Sequence, residues 1–119
     1  MTGELGPLDW KFIKEVNADI EKNLQKTEYN INALSASLCM SRTSFYNKIK
    51  ALTGQAPSEY VRLIRLKHAA RMLKDGVYNI TEVAERTGFN DPKYFREVFK
   101  KYYKVAPSQY ASGESSYTV

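Results

Sequence analysis

The chain has 119 residues, of which 43% are hydrophobic and 26% are charged, and its formal net charge is +5 at pH 7. This length corresponds to about one domain with one or two small cores, which leaves little room for a separate catalytic domain. The single cysteine, Cys39, excludes an internal disulfide, no apolar run approaches the ~18 residues of a membrane helix, and residues 1–7 lack a signal-like stretch. We therefore expect a cytoplasmic protein without membrane contact.

The positive charge is concentrated in one part of the chain. Residues 41–110 hold 14 Lys and Arg against 6 Asp and Glu, a balance of +8, whereas residues 1–40 hold 4 against 6, a balance of −2. Such a concentration attracts polyanions, either nucleic acid or acidic lipid, although a merely solvated basic surface is an alternative.

The first half of the chain predicts three helices. Apolar residues recur at helical spacing over residues 10–26 after Asp9, a plausible N-cap, namely at Trp10, Ile13, Val16, Ile20 and Leu24. A short helix over 31–38 follows. A third begins after the N-cap Ser41, directs Phe45, Ile49 and Leu52 inward and ends at Gly54.

The second half predicts a long helix and then another short pair. Pro57 opens the long helix, which residues 74–76 close, and its apolar side chains cover more than one face, as in a strut packed against both flanking parts. Asn79 with Glu82 resembles a capping box, and Gly88 can end that helix. The last helix starts at Asp91-Pro92 and runs to about residue 103, and its inward face consists of Phe95, Val98, Phe99 and Tyr102.

These two halves are copies of one another. Residues 30–35 return 49 residues later as 79–84, and residues 56–60 return 50 residues later as 106–110. Between them, Phe45, Ile49 and Lys50 match positions 95, 99 and 100 at the offset of 50. The second copy therefore has one extra residue near its central turn.

Two short helices joined by a tight turn form a helix-turn-helix, whose second helix lies in the DNA major groove while the first braces it. The alternative is a small helical bundle without DNA contacts. The duplication, the basic balance and the polar content of both second helices favour DNA, so we predict an all-α fold with two helix-turn-helix subdomains joined by a long central helix.

The residues opposite the inward stripes are those that would meet DNA. They are Arg42, Thr43, Tyr46, Asn47 and Lys50 in the first copy and Lys93, Arg96, Glu97 and Lys100 in the second. Arg and Lys can donate to guanine, Asn can pair with adenine and Glu can accept from cytosine. The helix start at Ser41 could bind a phosphate, whereas the carboxylate at Asp91 opposes such binding. Each charged residue could instead be solvated or paired with a carboxylate.

An extended set of motifs resembles the DNA-binding domain of the AraC/XylS family over residues 9–110. These motifs are Ser41-Arg42-Thr43-Ser44-Phe45-Tyr46, Ile49-Lys50-Ala51-Leu52-Thr53-Gly54, Arg65-Leu66 with Ala69 and Met72-Leu73, Val83-Ala84, Gly88-Phe89-Asn90-Asp91-Pro92-Lys93-Tyr94-Phe95, Phe99-Lys100-Lys101 and Pro107-Ser108-Gln109-Tyr110.

The resemblance implies seven helices, with helix-turn-helix motifs at 30–54 and 79–104 joined by a linker helix at 57–75. Two recognition helices would lie in successive major grooves of double-stranded DNA. It implies base contacts at Thr43, Tyr46, Asn47, Pro92, Lys93, Arg96 and Glu97.

The amino-acid sequences of both recognition helices are similar to those in the C-terminal output domains of Bacteroides-type hybrid two-component regulators. That similarity implies transcription regulation under upstream sensor kinase and receiver domains.

The sequence departs from the family pattern at two turns. Cys39 stands where the second copy has Gly88, so we expect the first turn to differ in shape. Lys104 stands where the family usually has glycine. Residues 1–8 suggest a linker or a cloning remnant, and residues 111–119 a tail.

Two other classes of function remain. A helical protein-binding module could contact RNA polymerase or a partner domain through the same exposed helices. An enzyme is least favoured, because no paired carboxylates, matched nucleophile and base, or phosphate-cradling loop stand out. One His and one Cys cannot form a metal site by themselves, and no cofactor is implied.

Overall fold

A computed structural model describes residues 5–26 and 28–113, and within these residues the chain forms seven helices and no strand. The helices are α1 (Pro7–Lys22), α2 (Ile31–Ser37), α3 (Arg42–Thr53), α4 (Pro57–Asp75), α5 (Ile80–Arg86), α6 (Pro92–Tyr103) and α7 (Pro107–Ala111). The all-α fold and the seven helices are confirmed. Of the expected linker at 1–8 and tail at 111–119, residues 1–4 and 114–119 lie outside the described residues.

The prediction for the first helix was wrong at both ends. α1 begins at Pro7 after the N-cap Gly6, whose backbone N–H donates to Oδ2 of Asp9 at 3.3 Å. Asp9 is therefore inside the first turn rather than before it, because a proline is well suited to the first helical position. The helix ends at Lys22 instead of residue 26, although Leu24 beyond its end is still buried.

The inward face of α1 also differs from the prediction at one residue. Trp10 is 53% exposed, whereas Phe12 is buried and packs its ring 6.1 Å from the ring of Phe45. The buried stripe is centred on Val16 and Ile20, which are fully buried, and Trp10 lies off that line.

The chain divides into two compact units, with the boundary between Ile64 and Arg65 inside α4. The core of the first unit contains Phe12, Ile13, Val16, Ile20, Leu24, Leu34, Phe45, Ile49, Tyr60, Val61 and Ile64. The core of the second contains Leu66, Ala69, Ala70, Leu73, Val83, Ala84, Phe89, Phe95 and Phe99. The two halves of α4 thus supply apolar side chains to two cores, as its wide apolar coverage predicts.

The turns that join α2 to α3 and α5 to α6 share one backbone geometry. Cys39 has φ 58° and Gly88 has φ 86°, both left-handed. The N–H of Met40 donates to the Ser35 carbonyl at 2.9 Å, and the N–H of Phe89 donates to the Ala84 carbonyl at 2.8 Å. The expectation that Cys39 changes the shape of the first turn is therefore wrong, because the cysteine adopts the conformation that glycine adopts in the second copy.

The extra residue of the second copy lies directly after this turn. Met40 and Phe89 are equivalent at the offset of 49, whereas the N-caps Ser41 and Asp91 are equivalent at 50. Asn90 is consequently the inserted residue. It lengthens the approach to α6 without changing the turn itself.

The repeat also extends through the ends of α3 and α6. Gly54 and Lys104 both have left-handed φ, 76° and 70°, and their N–H groups donate to Lys50 and Lys100 carbonyls at 2.9 and 2.8 Å. The short α7 corresponds in sequence to the first turn of α4. The first copy continues from there as the long helix.

One aromatic residue of α6 is placed differently from the prediction. Phe95 and Phe99 are fully buried, but Tyr102 is 46% exposed and does not face the core. Tyr103 packs instead, with ring centroids 4.6 Å from Phe99 and 5.2 Å from Tyr110. Burial, followed by the nearby phenols of Tyr110 and Tyr102, raises the pKa of Tyr103 to about 12.

The left-handed conformation at position 39 costs a residue with a Cβ about 1–2 kcal/mol. We expect Cys39→Gly to raise the free energy of unfolding by about 0.5–1 kcal/mol, because glycine's greater flexibility in the unfolded chain offsets part of that gain. Urea denaturation measures the change. Cys39→Ala retains the Cβ and should give no gain, and an equal gain from alanine would assign the effect to the thiol instead.

The left-handed residue at the end of α3 gives a complementary prediction. Gly54→Ala should lower the free energy of unfolding through the backbone alone, because a Cβ at this position meets nothing within 4 Å.

The raised pKa of Tyr103 predicts a loss of stability at high pH. Between the ordinary tyrosine value near 10 and about 12, the folded state binds more protons than the unfolded state, so stability falls as pH rises through that window. Tyr103→Phe should make this fall shallower in denaturant titrations across the window. Tyr46→Phe, at an exposed position, should leave it unchanged, and equal slopes for both variants would contradict the assignment.

Candidate nucleic-acid interface

The predicted reading residues of the first copy share one exposed face of α3. Arg42, Thr43, Asn47 and Lys50 are exposed, and Tyr46 is 47% exposed. On the opposite side, Phe45 and Ile49 are fully buried in the first core. The burial of these two residues orients the helix, so the polar residues on its opposite side face outward.

A groove brings four of these residues together. It has a volume of about 490 Å³ and is lined by Ile31, Arg42, Thr43, Tyr46 and Asn47. Lys50 and Ser41 are outside its lining. Ile31 comes from the start of α2 and was not predicted as a site residue, because at the sequence level it resembles any apolar residue of a short helix.

The start of α3 is suited to an anion. The Oγ of Ser41 accepts the Ser44 N–H at 3.1 Å, which caps the helix with a neutral group. Within residues 5–26 and 28–113, the backbone N–H groups of Arg42 and Thr43 have no acceptor. These donors lie at the positive end of the helix dipole, where a phosphate oxygen is favoured.

The predicted reading residues of the second copy are arranged in the same way on α6. Lys93, Arg96, Glu97 and Lys100 are exposed, and Pro92 is partly exposed at the first helical position. In the described part of the chain none of these four charged side chains makes an ion pair or a hydrogen bond. The alternative that they pair with carboxylates is therefore not what the structure contains.

The start of α6 differs electrostatically from that of α3. The carboxylate of Asp91 accepts the Lys93 N–H at 2.9 Å, and Pro92 has no N–H to offer. A negative charge thus occupies the position where Ser41 is neutral in the first copy. This arrangement supports the preference for Ser41 over Asp91 as the phosphate-binding helix start.

Three long-range hydrogen bonds that the sequence did not predict lie beside the bracing helices. In the first unit, the Asp19 carboxylate accepts the Tyr29 hydroxyl at 2.5 Å and the Ser37 hydroxyl at 2.7 Å, at the end of α2. In the second unit, the buried guanidinium of Arg65 donates to the Thr87 carbonyl at 2.8 Å, at the end of α5. Each of these hydrogen bonds joins residues far apart in the chain, so no local motif marks them.

Other kinds of site find no support in the described ranges. There, no three His, Cys, Asp or Glu residues come together as metal ligands. No described helix combines the length and apolar character needed to cross a membrane.

Known protein families and proteins resemble this chain in sequence. A family model described as a helix-turn-helix domain matches residues 34–113. Histidine kinase P4 of Formosa agariphila is 37% identical over 106 residues, which cover 89% of this chain and 8% of the kinase. The next curated relatives are transcriptional regulators, of which the chain spans about a third.

Two solved structures are similar in both fold and sequence. The DNA-binding domain of AdpA, solved in complex with a target DNA, is 31% identical with a TM-score of 0.76, covering 84% of this chain and 89% of that one. The C-terminal domain of the two-component response regulator yesN from Fusobacterium nucleatum is 28% identical with a TM-score of 0.75, covering 85% and 98%.

The matched residues contain most of the first helix-turn-helix and the whole of the second, and the fold agrees with that of the solved domains. Domains of this family bind DNA and regulate transcription. The chain belongs to the AraC/XylS family of helix-turn-helix DNA-binding domains.

Proposed function

We propose that this domain is the sequence-specific output module of a larger signalling regulator, and that α3 and α6 bind successive major grooves of double-stranded DNA. The observation that carries the proposal is the match between the two motifs. The same left-handed turn precedes each reading helix, and each helix has an exposed polar face behind which phenylalanine is buried.

The charge of the duplicated region supports contact with phosphates. Residues 41–110 carry 14 basic and 6 acidic residues, a balance of +8. Lys50 and Lys100 occupy equivalent exposed positions on the two reading helices. Such cations release counterions from DNA on binding, which supplies affinity irrespective of sequence.

The length of the linker helix supports the use of both motifs by one molecule. α4 has 19 residues, which at ~1.5 Å per residue gives about 28 Å. Successive major-groove segments on one side of DNA are ~34 Å apart. The linker helix is therefore of the same order of length as that spacing.

The signalling role is supported by the proteins that the chain resembles. One is a histidine kinase far longer than this chain, and another is the C-terminal domain of a response regulator. We propose that sensor kinase and receiver domains precede the module in a longer cytoplasmic chain and control its access to DNA.

The two-groove arrangement predicts a footprint. Protection from cleavage should appear in two patches about ten base pairs apart, because that is the spacing of major-groove segments on one side. A single patch would show that only one helix reads DNA.

The basic charge predicts a strong dependence on salt. Affinity should fall steeply as the salt concentration rises, because phosphate contacts release counterions. A salt-tolerant interaction would instead point to the helical protein-binding alternative, with RNA polymerase or a partner domain as its target.

Removal of four reading side chains together should abolish specific binding. We expect the Arg42→Ala, Asn47→Ala, Lys93→Ala and Arg96→Ala quadruple variant to lose the footprint while its circular dichroism spectrum stays helical, because all four positions are exposed.

A matched control tests whether charge alone explains that loss. The quadruple variant lacks three positive charges, and so does the triple alanine variant of Lys11, Lys14 and Lys22, which are exposed on α1. The control should keep both protected patches. Equal loss in both variants would mean that net charge, and not the reading faces, determines binding.

A further inference from the structure

Resting on the proposed function, we infer a base preference for each half of the DNA site from the side chains of α3 and α6. The segment read by α3 contains an adenine beside a thymine methyl group, and the segment read by α6 contains adjacent G·C pairs with a cytosine amino group facing Glu97. The two segments therefore differ in base composition, although the two reading motifs are copies.

The part of the α3 face around Asn47 matches an A·T pair. The Asn47 side chain is exposed, and within the described residues it has no partner, so both its donor and its acceptor are available. An amide of this kind can bond simultaneously to N6 and N7 of adenine. Ile31, Thr43 and Tyr46 line the same groove and provide the apolar surface that a thymine methyl group requires.

The face of α6 matches G·C pairs instead. Arg96 and Lys93 are three residues apart on one exposed face, and both can only donate, as guanine O6 and N7 require. Glu97 can only accept while ionised, so it fits the cytosine N4 amino group and is repelled by the acceptors of guanine and by thymine O4. Since Arg96 and Glu97 are adjacent, their preferred pairs should be adjacent too.

The comparison between copies strengthens this assignment. Asn47 and Glu97 occupy equivalent positions at the offset of 50, as do Thr43 with Lys93 and Tyr46 with Arg96. Equivalent turns and buried phenylalanines give these pairs equivalent positions on their helices. The chemical groups alone differ, from amide, methyl and ring to carboxylate, ammonium and guanidinium.

Selection of bound DNA from a random pool by this 119-residue chain tests the inference. We expect two unlike motifs about ten base pairs apart, one containing adenine and thymine and the other G·C pairs. Repeating the selection with Asn47→Ala should erase preference only in the first motif, and Glu97→Gln should erase the cytosine preference only in the second. Glu97→Gln should also tighten overall binding, because a carboxylate near phosphates is lost.

Glu15→Gln is the matched control for the charge change. Glu15 is exposed on α1, and its substitution changes the net charge by the same amount as Glu97→Gln. It should leave both motifs and the cytosine preference unaltered. A control that relaxes selectivity as Glu97→Gln does would overturn the base assignment to Glu97.

Base analogues in the selected site provide a second measurement. Replacement of the contacted adenine by 7-deazaadenine should weaken binding roughly five- to 150-fold, the range of one bidentate base contact. Deoxyuridine in place of the contacted thymine removes one methyl group and should weaken binding roughly fourfold. The same analogues at A·T pairs outside the two motifs should have no effect.

The failures of the inference and of the proposed function are distinguishable. Two motifs at the expected spacing with the same composition, or an effect of each variant on the other helix's motif, would overturn the base assignments and leave the function intact. One motif, or no motif, would overturn the function and the inference together.

Discussion

The left-handed residue between the bracing helix and the reading helix is the constraint on which each motif depends. At Cys39 and Gly88 the backbone is left-handed, and the amide that follows donates to a carbonyl of the preceding helix, from Met40 to Ser35 in the first copy. This hydrogen bond ties the start of the next segment to the end of the bracing helix. The bend places Phe45 inside the first core and leaves the opposite face of α3 exposed.

The structure separates a repeated scaffold from a varied surface. Turns, helix ends and buried aromatic residues recur in both copies, since each motif must cover its own core. The exposed side chains and the caps differ, and they differ in charge: Ser41 is neutral where Asp91 is negative, and Asn47 is neutral where Glu97 is negative. The two predicted reading faces therefore have different electrostatic fields on similar backbones.

Local chemistry explains why the sequence predicted most helix boundaries. Ser41 and Asn79 accept backbone N–H groups at their helix starts, Gly54 adopts the left-handed conformation at its helix end, and Pro57 begins α4, all as expected. Trp10 and Tyr102 were wrongly assigned to the core, because both are large and apolar enough to suggest one. Helical periodicity tolerates an error of one residue, and only packing decides which of two neighbouring aromatic residues is covered.

The sequence by itself determined the duplication, the two helix-turn-helix motifs and the polar residues opposite each apolar stripe, because spacing, caps and glycines act within a few residues of one another. Tertiary structure alone decided that Cys39 adopts a glycine-like turn, that Asp19 and Arg65 secure the ends of α2 and α5, and that Ile31 joins the reading face of α3. The contacts of Asp19, Arg65 and Ile31 join residues distant in the chain, and no local pattern contains their energies.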